Sequence, residues 1–334
     1  MKESESIGLS WIRVLAMMSV VVCHLFQAYN SKYANVVHGG VQTFLVMSGY
    51  LYGNKVVTDW RKFAKKRINK VYLPYLVFLI LVVPLYAFFH VEEMKWNALP
   101  FYFANLQGFR LLIGGDFGRI EGLRHVWYIT AIMCAYLTTP LLQRVRKHST
   151  VVLPILLVII AITYIFASSL NYIFVFSCLY LYAIGYFYVN LNKKWKWFYL
   201  ILCMLAIFVI LVNLQHGELT QSQFHGIKSR LLHDLGGILS VFGGVLILSR
   251  IKYLKVPHLI SIIDKYSYHI FLVHFIIICG PFSMAYITPN IGLNIFIMLV
   301  TTVVATCIFI MVMNFVNKSF EKLSIIENNV EKKV

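Results

Sequence analysis

Ile7 to Ala28 reads IGLSWIRVLAMMSVVVCHLFQA, an apolar run interrupted by Ser10, Arg13, Ser19, His24 and Gln27. A mostly apolar stretch of about 20 residues is long enough to cross the hydrocarbon of a bilayer as a helix. Arg13 lies inside the run and no A-x-A cleavage site follows, so the run predicts a retained span rather than a signal peptide. Ionisable groups inside a span are costly, and they mark function by default. Eleven steps of about 100° bring Arg13 and His24 to within about 20° of one helix face, about 16 Å apart along the axis. That face is expected to look into a polar cavity. Two plainer readings stay open: Arg13 can snorkel to the inner interface, and His24 can tie helices together by a hydrogen bond.

The rest of the chain repeats the apolar theme. Of its 334 residues, 60% are hydrophobic and 13% charged, against about 45–50% and about 25% in average globular chains. So much apolar surface exceeds what a soluble core of this length hides. The reading is therefore all-α: a polytopic membrane helix bundle of about ten transmembrane helices. The spans are expected at about 7–28, 38–54, 71–90, 125–142, 150–168, 171–190, 197–214, 232–249, 262–284 and 291–315. Longer polar loops run up to Gly122 and from Gln215 to Arg230. Residues 1–318 form one membrane domain and 319–334 a short cytoplasmic tail, with no fused soluble domain. The six cysteines make no CxxC or other ligand spacing, so neither a disulfide framework nor a metal site is expected.

The net charge of +17 invites a nucleic-acid reading. The basic residues, however, sit in short runs between apolar stretches, as cytoplasmic loops do, and no nucleic-acid partner is expected. With the N-terminus inside, 22 of the 30 Lys and Arg residues fall on the inner side and 7 on the outer, while Arg13 lies in a span. This bias predicts both termini inside. No internal or inverted repeat is visible, which counts against the common secondary transporters.

Several segments carry a resemblance. Arg13, ten residues, then His24 resembles the first-span signature of the acyltransferase-3 family of bacterial membrane acyltransferases. Gly40 to Leu51 reads GVQTFLVMSGYL, similar to the family's serine-glycine second span. Phe63 to Tyr75 reads FAKKRINKVYLPY, like its basic inner loop and proline-bearing third span. His125 to Tyr128 reads HVWY, Thr139 to Leu142 reads TPLL, and Tyr266 to His274 reads YSYHIFLVH, all in family order. The resemblance covers nearly the whole chain. It departs at Lys70, where the family usually has arginine, and in lacking the glutamate of a Trp-Ser-Leu and Glu arrangement found in many longer members. No carboxylate partner for His24 can therefore be carried over.

The resemblance implies an acyltransferase of the bacterial cytoplasmic membrane, moving an acyl group, usually acetyl, from cytoplasmic acyl-coenzyme A to a hydroxyl of a cell-surface or exported polysaccharide. The implied partners are acyl-CoA, a glycan acceptor and the lipid bilayer. The donor is a substrate, and no tightly bound cofactor is expected. Arg13, Arg67 and Lys70 would meet the phosphates of the donor, arginine bidentately and lysine as a point charge, and Arg13 would be catalytic together with His24; simple topology determination is the other reading of the basic run. His24 would be the general base, or the bearer of an acyl intermediate. Ser48, Tyr50 or a backbone N–H near Gly49 would face the oxyanion, although Ser48-Gly49 also suits close helix packing. His125, Trp127, Tyr268 and His274 are candidate substrate contacts, with interface anchoring the other reading of Trp127 and a structural hydrogen bond that of His274. Asp234, Asp116 and Glu121 are candidate orienting acids, while Asp264 and Lys265 read as inner-interface markers. The rival function is a transporter or exporter of glycan or lipid precursors, which also needs a polar cavity.

Overall fold

A computed structural model describes residues 3–91, 96–109, 120–166, 170–213, 227–248, 250–251 and 255–331. Among the described residues there is no strand. The helices are α1 Glu3–Ala28, α2 Gly40–Gly53, α3 Trp60–Arg67, α4 Leu73–Phe88, α5 Leu99–Phe103 and α6 Trp127–Arg144. They continue as α7 Ser149–Phe166, α8 Leu170–Tyr188, α9 Lys193–Asn213, α10 Ile227–Leu248, α11 His258–Ile278 and α12 Ile291–Glu331. Among the described residues, eight helical stretches are long and apolar enough to cross a membrane, counting the run from Trp60 to Phe88 as one. The outward faces carry exposed Ile155, Val158, Phe208, Phe296 and Val303. Such faces need lipid as their solvent. The protein is a multi-pass, all-α membrane bundle.

A π-helical turn, Ile68–Tyr72, joins α3 to α4. Its cause is legible in Pro74, which has no N–H to give the preceding turn, so the ladder loosens there by one residue. The Leu73 N–H accordingly reaches back to the Ile68 carbonyl. The Tyr268 hydroxyl donates to the Val71 carbonyl at 2.7 Å and ties the turn to α11.

Glycine sets one helix crossing. A Cβ on Gly49 would lie 1.9 Å from the Tyr182 carbonyl oxygen, and one on Gly185 would lie 2.0 Å from that of Val46. Gly53 repeats the contact one turn on, against Tyr186. The backbones of α2 and α8 thus touch where small residues permit it.

Two segments fold back into the bundle from the end where α1 finishes. After α1, the chain returns so that Ser19 donates to the Val37 carbonyl at 2.5 Å and the Cys23 thiol to that of Ala34 at 3.4 Å. Gly40 then packs on the Ala16 carbonyl and Val20. Helix α2 therefore begins several turns below the end of α1, and its 14 residues fall short of the length that crosses hydrocarbon alone. Likewise, Tyr72 and Tyr75 donate to the Phe103 and Tyr102 carbonyls, each at 2.6 Å. Those tyrosines lie roughly 20 Å of helix away from the Phe88 end of α4. Irregular backbone at such depth is tolerated because protein groups satisfy it. Helix α12 runs on past residue 318 to Glu331.

Helices α1 and α11 run parallel. Residue numbers rise together along their contact, from Trp11–Lys255 through Arg13–Asp264 to His24–His274 and Cys279–His24. This pairing positions the candidate site.

Candidate active site

Towards the N-terminal end of α1, Arg13 pairs with Asp264 through a charge-assisted hydrogen bond, with both side chains largely covered. The acid read in sequence as an interface marker is thus the partner of the intramembrane arginine. An uncompensated cation at this depth would be costly, and the neighbouring parallel helix supplies the opposite charge. Arg67 lies 5.0 Å from the Tyr52 ring, 5.7 Å from Phe63 and 5.5 Å from Tyr136. Its guanidinium is held by aromatic faces, and its buried Nε takes no hydrogen bond. Tyr136 feels both Arg67 and Arg13, which places the two arginines around one phenol. Lys70 is exposed on the π turn, within the field of Arg67, Lys66 and Lys55. The three donor-binding candidates therefore share one end of the bundle.

Ser48 lies beside Tyr128 and Tyr136. Tyr50, two residues on, projects to another side of α2 and is buried against Tyr188 at 6.4 Å. The structure thus separates the two side-chain oxyanion candidates, and Gly49 is occupied by the helix crossing. Tyr268, with its hydroxyl on Val71, holds helices together; the π turn exposes a carbonyl that needs a donor.

Further along α1, three imidazoles meet. The His24 and His274 ring centres are 5.2 Å apart, and those of His125 and His274 are 5.5 Å apart. Phe275 packs on both His24, at 4.7 Å, and His125, at 4.9 Å. Phe271 closes the cluster 5.2 Å from His125, with Tyr128 behind it at 5.3 Å. His24 Nδ1 is 2.6 Å from Gln27 Oε1. A carbonyl oxygen only accepts, so Nδ1 carries the hydrogen and Nε2 keeps a lone pair in the neutral ring. That leaves His24 fit to take a proton.

His125 and Trp127 open the stretch Arg124–Arg144, long and apolar enough to cross a membrane. His125 is 6.3 Å from Phe78, roughly 15 Å of helix below Phe88, because the segment before α6 descends into the bundle first. Trp127 leaves the imidazoles and faces an apolar crevice with Phe109, Thr130, Cys134 and Leu179. The proposed orienting acids are engaged elsewhere. Asp234 accepts from the Tyr164 hydroxyl at 2.5 Å and lies 3.3 Å from Arg230, and Glu121 pairs with Arg124. Asp116 lies outside the described residues. The residue that orients His24 is Gln27, which sequence reasoning missed although the His-x-x-Gln spacing puts both on one helix face.

The family profile described as an acyltransferase domain, that of the acyltransferase-3 family, matches residues 6–312. The chain belongs to the acyltransferase-3 family. An acyltransferase-3 protein is a membrane acyltransferase, so the enzyme reading stands. The O-acetyltransferase OatA of Staphylococcus aureus strain NCTC 8325 / PS 47 is 26% identical over 156 residues, and that of strain COL equally so. In each case the match covers 42% of this chain and 25% of the relative, so the chain spans about a quarter of the length of the curated relatives it matches. No solved structure matches the chain.

Proposed function

We propose that this acyltransferase-3 protein moves an acetyl group from cytoplasmic acetyl-coenzyme A to a hydroxyl of a surface or exported polysaccharide, across the bacterial plasma membrane. The topology that serves it has ten spans with both termini inside. The parallel run of α1 and α11 suits this, since the first and ninth spans, with seven crossings between them, point the same way. Arg13, Arg67 and Lys70 receive the phosphates at the inner end. The pantetheine arm reaches past Arg13, and the sugar hydroxyl arrives from the other side. His24 Nε2 takes the hydroxyl proton as the oxygen attacks the thioester carbon. Ser48 is the oxyanion donor that its position beside Tyr128 favours.

One observation carries the reading: His24, oriented by Gln27, stands on the face of Arg13, about 16 Å further along. A positioned base contributes about 10²–10⁴ in rate. The full chain in detergent, given acetyl-CoA and the polysaccharide fraction of the host's envelope, is expected to release free thiol. His24→Ala should lower that release by about 10²-fold or more while leaving the melting temperature unchanged. A fully active His24→Ala protein would overturn the assignment. Hydroxylamine-labile acetyl label present on the wild type and absent from His24→Ala would place the acyl group on His24 before transfer.

A further inference from the structure

Each of the three clustered imidazoles is tied to a carbonyl by one nitrogen. His24 Nδ1 faces Gln27 Oε1 at 2.6 Å, and His125 Nε2 faces the Leu272 carbonyl at 3.0 Å. His274 Nδ1 faces the Phe271 and Ile270 carbonyls at 2.8 and 3.1 Å. Since those oxygens only accept, each of these nitrogens carries its hydrogen, and the other nitrogen of each neutral ring is a bare lone pair. His125 Nδ1 and His274 Nε2 are buried with no hydrogen-bond partner, and no hydrogen bond to His24 Nε2 is formed among the described residues. The rings packed around this cluster, Phe78, Phe271 and Phe275, donate nothing. Buried polar atoms left this way are rare, and each asks for an explanation.

We propose that His274 is the proton-sharing partner of His24, an acceptor for the hydrogen bond that the His24 ring can give once it is charged. The inference rests on the reading of His24 as base. As the hydroxyl oxygen bonds to the acyl carbon and the C–S bond breaks, the hydroxyl proton passes to His24 Nε2. The charged His24 ring then gives a hydrogen bond to His274 Nε2, whose tautomer the two backbone carbonyls hold in the accepting form. The departing coenzyme A thiolate takes the proton back, so the protein ends as it began. The two ring centres lie 5.2 Å apart with their planes at 38°, so the imidazoles are immediate neighbours. His274 is a positioning residue, because it acts through His24.

Two substitutions separate this role from packing. Asparagine reproduces the Nδ1 donor to the backbone and lacks the distal acceptor, whereas glutamine supplies an acceptor at the position of Nε2. His274→Asn is expected to lower kcat for acetyl-CoA thiol release at least tenfold with KM unchanged. His274→Gln is expected to keep most of the turnover. Melting of the detergent-purified full chain should change little in either. Equal kcat for wild type and His274→Asn would overturn the proposal, as would His274→Asn outperforming His274→Gln, or a change confined to KM. An inactive His24→Ala beside a fully active His274→Asn would sink this inference alone. An active His24→Ala would sink the reading it rests on.

Discussion

The same two helices, α1 and α11, meet at two depths and solve opposite problems. At Arg13 and Asp264 the contact is closed: a cation and an anion from neighbouring helices meet each other's needs. At His24 and His274, about 15 Å further on, the contact is open: aromatic rings surround His274 Nε2, which no group among the described residues fills. A fold can bury a charge by pairing it, and the pair then holds the two helices in place. Leaving acceptors unfilled costs stability, and such sites persist where a ligand or a transferred proton completes them.

Breaking the closed contact should have the largest effect on the fold. Asp264→Ala strands Arg13 and should lower stability by about 2–3 kcal/mol, somewhat under the range for fully buried pairs. Thermal melting in detergent measures it, and the double exchange Arg13→Asp with Asp264→Arg should recover melting without recovering turnover. Arg67→Lys keeps the charge and loses the planar face that stacks on Tyr52, Phe63 and Tyr136. It should raise the KM for acetyl-CoA by about tenfold, or about 1.4 kcal/mol, with kcat preserved. Tyr268→Phe, midway between the two contacts, removes one hydrogen bond to the π turn and should cost about 1 kcal/mol in melting. Lys70→Ala is the mildest, since Lys70 is exposed. A change in donor KM of about twofold or less is expected, and a larger one would bring Lys70 into direct phosphate contact.

The fold class was legible because lipid imposes length and apolarity on every span, and the shared face of Arg13 and His24 followed from helical spacing. Depth was not legible. Residues 38–54 and 125–142 are apolar enough to read as ordinary spans, but hydropathy does not register that the chain before each one folds back into the bundle. That is why α2 starts against Ala16 and His125 lies beside Phe78. The partnership of Arg13 with Asp264 joins residues 251 positions apart, a distance at which one sequence carries no pairing signal. Tyr50 and Tyr268 were read as site residues for their hydroxyls, yet packing directs one to Tyr188 and the other to Val71. Gln27 was within reach of the sequence through its i,i+3 spacing from His24.

The glycine crossing has a mechanical consequence. Where Gly49, Gly53 and Gly185 bring the backbones of α2 and α8 into contact, little room is left for either helix to slide on the other, so the two move as one beam. Rearrangements that let a bulky donor in and a product out must then fall on the contacts made by side chains, above all between α1 and α11 and at the loosened turn before α4. The immobile half sets the shape of the chamber, and the compliant half works as its hinge.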